Sequence, residues 1–219
     1  MKHSSEFDRS VPLEEFLPQR MPLLETQVVD ISDEIAYDNH DVDDGLTSGL
    51  LRMEDLEGLP IWSSISKNID ASYPNINLDI KKYLIIRSLI DMQVTDLISE
   101  TESRLRQFNP KGPEDVQRLD TKIVSFSEKM LKLRRPLREL LKAKLYNHYR
   151  VIRMSNKAKR FIKDLFLLYL DKPQALPIEQ QQRISSDGVK RVICDYIAAM
   201  TDRCALDEHK KLFDPYEKV

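Results

Sequence analysis

Glycine is scarce in this sequence: five in 219 residues. Strands need frequent tight turns, and those turns recruit glycine, so the shortage argues against a β-rich fold and for helices. Cysteine is nearly absent too. Cys194 and Cys204 are ten residues apart. On one helix that separation is about 15 Å, too far for a disulfide. The pair therefore reads as buried or half-buried thiols in a reducing compartment, and the cytoplasm is the expected location. No apolar run approaches the ~20 residues of a membrane span, and no apolar segment follows the N-terminal Met1-Lys2-His3 as a secretory signal would require. Hydrophobic residues at 41% and charged residues at 32% suit amphipathic helices around a core.

Charge of one sign is missing locally. Residues 1–60 hold 4 Lys/Arg against 15 Asp/Glu, whereas residues 129–163 hold 13 Lys/Arg and one acid, Glu139. Such asymmetry fits a cation-linked site and an anion-linked surface in one molecule, or two solvated faces of opposite sign that dock.

Hydrophobic periodicity and breakers predict an all-α, multi-helix bundle with at most one short strand-like piece near 122–127. Residues 1–24, with Pro12, Pro18 and Pro22, read as an irregular connecting segment. Helices are expected over about Leu24–Asp43, Thr47–Met53, Ile61–Asp70 and Leu78–Phe108. Beyond Pro110 and Pro113, Ser127 is placed to cap a helix from Glu128, with a break at Pro136. Further helices are expected over Leu137–Tyr149 and Met154–Asp171. Ser185-Ser186-Asp187 is read as the cap of a helix to Thr201, and Cys204–Leu212 as a last helical turn.

The segment Val28–Gly45 carries the chemistry. At ~100° per residue with Asp33 at zero, Asp44, Tyr37, Asp30, Asp41 and His40 fall within about 100° of one another. Ile31, Val42, Ile35, Val28 and Leu46 gather on the opposite side. Four carboxylates along three turns of one face repel unless water or cations screen them. Hard oxygen ligands for Mg²⁺ or Mn²⁺ are one use of such a row, and a solvated acidic face is the other. A tyrosine inside the row suits packing against a sugar or base with a hydroxyl on offer.

Ser32-Asp33-Glu34-Ile35-Ala36-Tyr37 and His40-Asp41-Val42-Asp43-Asp44-Gly45 resemble the signature helix of bacterial dGTPase-like enzymes of the HD-domain superfamily. Lys2-His3-Ser4, Asn147-His148-Tyr149-Arg150-Val151 and Asp195–Arg203 resemble further pieces of that family in the same order. The resemblance covers essentially the whole chain. It implies the C-terminal part of an HD-domain fold, with residues 25–108 as half of the catalytic domain and 109–219 as a helical C-terminal region with basic helices.

The activity so implied is hydrolysis of a dNTP, such as dGTP, to deoxynucleoside and triphosphate at a divalent metal site. There a metal-activated water would attack the α-phosphorus. Asp33 matches the last metal ligand, and Tyr37 and Asp41 match contacts to the substrate sugar, Asp41 at the 3′-hydroxyl. Arg87 is a candidate phosphate contact, and His3 another. The family's other ligands, a histidine and a His-Asp pair, are absent from this sequence, and the His40-Asp41 dipeptide does not replace them. The expectation is therefore no triphosphohydrolase activity from this chain alone. A second chain carrying the missing N-terminal half, or a homo-oligomer, is the expected partner, with no membrane involvement. Arg150, Arg153, Lys157 and Arg160, in the basic segment, are candidates for an effector dNTP or single-stranded DNA. A non-catalytic nucleotide- or DNA-binding role for those helices is the alternative. Cys194 has no histidine at nucleophile spacing.

Overall fold

A computed structural model describes residues 20–218 of the chain. It is built from α-helices, with no strand among the described residues. Packing divides it into two compact units, the first ending at His148 and the second running Tyr149–Val219. Residues 109–148 thus belong to the same unit as helix 78–108, not to the C-terminal one.

In the first unit α1 (Leu24–Thr47), α3 (Pro60–Ser72), α4 (Leu78–Phe108) and α6 (Glu128–Leu141) surround one core, and the short α2 (Met53–Glu57) and α5 (Pro113–Gln117) lie in the connections. Val42, Leu56, Trp62, Ile85, Leu89, Phe126, Leu137 and Leu141 are essentially sealed from solvent. Each contributes about 1.5–3 kcal/mol of burial. α3 begins with Pro60 in its first turn, where the missing N–H costs nothing. α4 is capped by Asn77, whose side chain accepts from the Asp79 N–H, and it stops at Asn109 in a left-handed conformation. Its bounds are those that the periodicity predicts.

Three local expectations are corrected. The helix placed over Thr47–Met53 is a turn instead. α1 runs on to Thr47, Gly49 takes φ 71°, and α2 starts only at Met53. Gly45 lies under this turn, and a Cβ there would come within 2.5 Å of the buried Leu51 side chain. Pro136 does not break its helix, because α6 is continuous through it. Apolar contacts of Leu133, Leu137 and Leu141 on one side hold the turn that lacks a hydrogen bond. The strand-like 122–127 is irregular chain pinned into the core. Gln27, fully buried on α1, accepts through its side-chain oxygen from the N–H groups of Ile123 (2.9 Å) and Val124 (3.1 Å). Ser127 then caps α6 while bonding Asp96 of α4 through both its N–H and its hydroxyl.

α6 does not pass directly into an α-helical turn. Residues Lys142–Tyr146 form a π-helical turn, in which the Asn147 N–H reaches back five residues to the Lys142 carbonyl at 3.1 Å.

The second unit packs α7 (Tyr149–Asp171), α8 (Ile178–Asp187), α9 (Val189–Ala198) and α10 (Asp202–Phe213) around Leu165, Tyr169, Leu176, Val192 and Ile193. Ser185-Ser186-Asp187 does not cap the start of a helix here. It is the last turn of α8, and Gly188 at φ 83° turns the chain into α9. Gln181 lies in α8 and bonds the carbonyls of Gln174 and Leu176. Cys194 and Cys204 are on separate helices and both are exposed, where buried or half-buried thiols were expected. Among the described residues no helix is long and apolar enough to cross a membrane.

Candidate functional site

Asp33, Tyr37 and Asp41 recur every four residues on α1, so each stands ~6 Å further along the axis and ~40° further round. Asp33 and Tyr37 are exposed, and Asp41 is half-buried. Facing them is Tyr146 at the end of the π-turn. Its hydroxyl donates to the Asp41 carboxylate, and its ring lies tilted 6.2 Å from that of Tyr37. Burial, and then Asp41 itself, raise the Tyr146 phenol well above its ordinary value, so it remains a neutral donor. Helical spacing alone marks Tyr146 as core. It does pack against the core of the first unit, and it also joins Tyr37 to Asp41 from a π-turn that is not legible in the sequence.

The acidic row is not a bare face. Asp30 meets Lys122 at 3.4 Å and Asp43 meets Lys82 at 2.8 Å. Asp38, only 4% exposed, accepts from Arg134 Nη2 at 2.8 Å, and Arg138 Nε lies 3.5 Å away. Glu34 reaches the same two arginines. Burial lowers the Arg134 pKa, opposed by Asp38 and then Glu34, and its guanidinium lies 4.2 Å over the Phe126 ring. The helical wheel holds a signal for this pair: Asp38 falls at ~140°, beside the aliphatic side rather than in the acidic row. A carboxylate there must either be exposed by a turn of the helix or find a buried cation. Asn39, also buried, bonds the Ile35 carbonyl and receives Gln93 at 3.4 Å. The predicted aliphatic face is buried at Ile35 and Val42 and partly at Ile31 and Leu46, but Val28 stays exposed.

Arg134, Arg135, Arg138 and Lys142, with Leu131 and Glu139, line a surface pocket of about 390 Å³ on α6 and the π-turn. This cationic pocket lies in the first unit. Arg150, Arg153, Lys157 and Arg160 lie on α7 in the second, all exposed. Arg160 pairs with Asp164 at 3.7 Å, and Lys157 stands 5.5 Å over the Phe161 ring. Tyr149 is exposed beside Arg150. Arg87 is exposed on α4, and no hydrogen bond or ion pair among the described residues joins it to Tyr37 or Asp41. His3 lies outside the described residues.

Among the described residues no three His, Cys, Asp or Glu side chains are grouped to hold a metal ion. Asp33 alone does not make a divalent site, so the residues described do not fit that cofactor without ligands from elsewhere.

Residues 124–211 match the phosphohydrolase-associated domain family. That match begins in the pinned segment before α6 and crosses from the first unit into the second. The chain is 44% identical over 220 aligned residues to a deoxyguanosinetriphosphate triphosphohydrolase-like protein of Geobacter sulfurreducens, an alignment that takes in 100% of this chain and 57% of that protein. A protein of the same name from Geobacter metallireducens is 40% identical with the same coverage. One from Ralstonia pickettii is 41% identical over 90% of this chain and 51% of itself. The chain thus spans about half the length of the curated relatives it matches.

Proposed function

This chain is a relative, along its whole length, of the deoxyguanosinetriphosphate triphosphohydrolase-like proteins, and from that premise we propose that it supplies the sugar-facing wall of a dNTP triphosphohydrolase site. In this reading the deoxyribose lies on the Tyr37 ring and Asp41 accepts the 3′-hydroxyl. Tyr146 holds the Asp41 carboxylate in place and occupies one of its oxygens, leaving the other for the sugar. The single observation that carries the reading is that Tyr146–Asp41 bond beside the Tyr37 ring. A half-buried carboxylate with one fixed partner discriminates strongly against a sugar that lacks the hydroxyl, because it would be left short of a hydrogen bond.

Asp33, one turn before Tyr37, is the chain's contribution to a divalent cation, Mg²⁺ or Mn²⁺. Such an ion would supply a Lewis acid at the phosphates. Its remaining ligands come from polypeptide that the relatives possess outside the matched 57%, whether in a longer form of this chain or in a partner. Nothing in the described fold requires a membrane, and a cytoplasmic location suits a nucleotide substrate.

The test is hydrolysis of dGTP and the other dNTPs, followed by release of triphosphate in Mg²⁺ or Mn²⁺. The chain alone is expected to show no turnover at enzyme rates. Supplied with the unmatched stretch of the Geobacter sulfurreducens relative, it is expected to turn over. Asp33→Asn then abolishes the rate, and Asp41→Asn lowers kcat/KM by roughly 10- to 100-fold. Full activity of the Asp41→Asn protein, or turnover by the chain alone, rejects the assignment.

A second reading has its own observation, the row of exposed cations on α7. Arg153, Lys157 and Arg160 suit phosphates of an effector dNTP or of single-stranded DNA. Binding of an oligonucleotide that weakens steeply with salt supports the DNA role. Binding that requires one particular dNTP supports the effector role.

A further inference from the structure

α4 is 31 residues long, yet only part of it is covered. Ile80, Tyr83, Arg87, Ile90, Val94 and Ile98 recur every three or four residues and form one stripe along the helix. Arg87 is its single charge. Ile80, Tyr83, Val94 (38% exposed) and Ile98 (55%) open to solvent. From Ile80 to Ile98 the stripe is ~27 Å long. At its C-terminal end it meets α1 in a groove of about 500 Å³ whose walls are mostly aliphatic, with Val28, Ala36, Ile90, Val94, Leu97 and Ile98 among them. Val28 is 46% exposed and Val29 66%. The Thr101 hydroxyl, which also lines the groove, is buried and has no hydrogen-bond partner among the described residues. A contiguous apolar surface of this kind marks a face that another polypeptide covers.

We infer that the α1–α4 groove is the docking surface for the stretch of polypeptide that the relatives have and this chain does not match. Two observations select that occupant. The chain aligns along its whole length but covers only 57% of the relatives, so an unmatched stretch of comparable size exists wherever these relatives fold. The groove also shares α1 with Asp33: Ser32 and Ala36 line it while Asp33 and Tyr37 project from the adjoining side of the same two turns. A segment seated in the groove would therefore end beside Asp33, where the missing ligands are needed. The inference rests on the function proposed above and adds where the complementing segment binds.

The groove is read directly by thiol labelling. Val94→Cys is placed in the full chain with Cys194→Ser and Cys204→Ser, which removes the two exposed native thiols. Maleimide labelling is then timed with and without the unmatched stretch of the Geobacter sulfurreducens relative. The expected result is fast labelling of the chain alone, slowed at least 10-fold by the added stretch. Ile98→Asp is expected to weaken the complex at least 10-fold in a sedimentation or size-exclusion titration. Both positions are solvent-exposed, and circular dichroism shows whether each variant keeps its helix content. Arg191→Glu, on α9, is the control expected to bind as the unaltered chain does.

Labelling of the chain alone that is slow when concentrated and fast when diluted would give the groove to a second copy and overturn the inference. Slow labelling at every dilution would give it to another part of this chain and overturn the inference equally. If the stretch protects Val94→Cys but no dNTP is hydrolysed, the docking surface stands and the hydrolase reading falls. If the stretch restores hydrolysis while labelling is unchanged, the reverse holds.

Discussion

Three tyrosines hold their protons more tightly than a free phenol does. Tyr146 is raised first by burial and then by Asp41. Tyr169 is raised by burial and by Glu208, to which it donates at 2.6 Å. Tyr196 is raised by burial, with Glu208 the next cause. A group whose folded pKa lies above its unfolded value binds its proton better in the native state. The native state therefore keeps its full stability up to the ordinary phenol range near pH 10 and loses it as pH rises beyond. Each such tyrosine contributes a slope of about 1.4 kcal/mol per pH unit there. Absorbance at 295 nm and helix content are to be followed together between pH 9 and 12. These three should ionise together with loss of helix. Tyr169→Phe, which removes one of them, is expected to flatten the fall in melting temperature above pH 10. At this scale the sequence is informative about types and poor about aim. Asp33, Tyr37 and Asp41 can be placed on one side of α1 from spacing alone. That Tyr146 points at Asp41 depends on five residues of π-helical backbone, and no residue pattern announces it.

Between elements, the first unit is stapled by the buried Asp38–Arg134 pair, which ties α1 to α6. Removing one partner from such a pair leaves an uncompensated charge, whereas replacing both by apolar groups of similar volume costs little. Arg134→Met is therefore expected to destabilise the chain by about 3 kcal/mol in urea unfolding, at the low end of the range because Arg138 remains 3.5 Å from Asp38. The double variant Asp38→Leu with Arg134→Met is expected to recover most of that. Equal destabilisation by the single and double variants would mean that the guanidinium acts through its stacking on Phe126 and not through its charge. Helix periods make α4 legible to the residue, because Asn77 and Asn109 punctuate a long regular pattern. Around Thr47–Met53 and Ser185–Asp187 they fail for a common reason. Polar turn residues there satisfy carbonyls at a helix end as readily as N–H groups at a helix start, as Ser186 does with the Arg183 carbonyl.

For the molecule as a whole, the division at His148/Tyr149 matters most. Residues 149–219 have their own core of Leu165, Tyr169, Leu176, Val192 and Ile193. Produced as a separate polypeptide, they are expected to be helical and to melt cooperatively, although a unit of this size is marginally stable. A featureless, non-cooperative melt would show that they fold only with the rest of the chain. The matched family domain crosses that division, so its limits cannot be drawn from packing. The π-turn between α6 and α7 has a consequence for how this chain can vary. A helix with one residue too many accepts the loss of that residue gladly, since the backbone becomes regular. Excising one of residues 142–145 would thus be harmless to helix content, yet it would shift Tyr146 into the slot that Leu145 fills and deprive Asp41 of its donor. Length polymorphism at this point would separate chains that keep the Tyr146–Asp41 bond from chains that merely retain the fold.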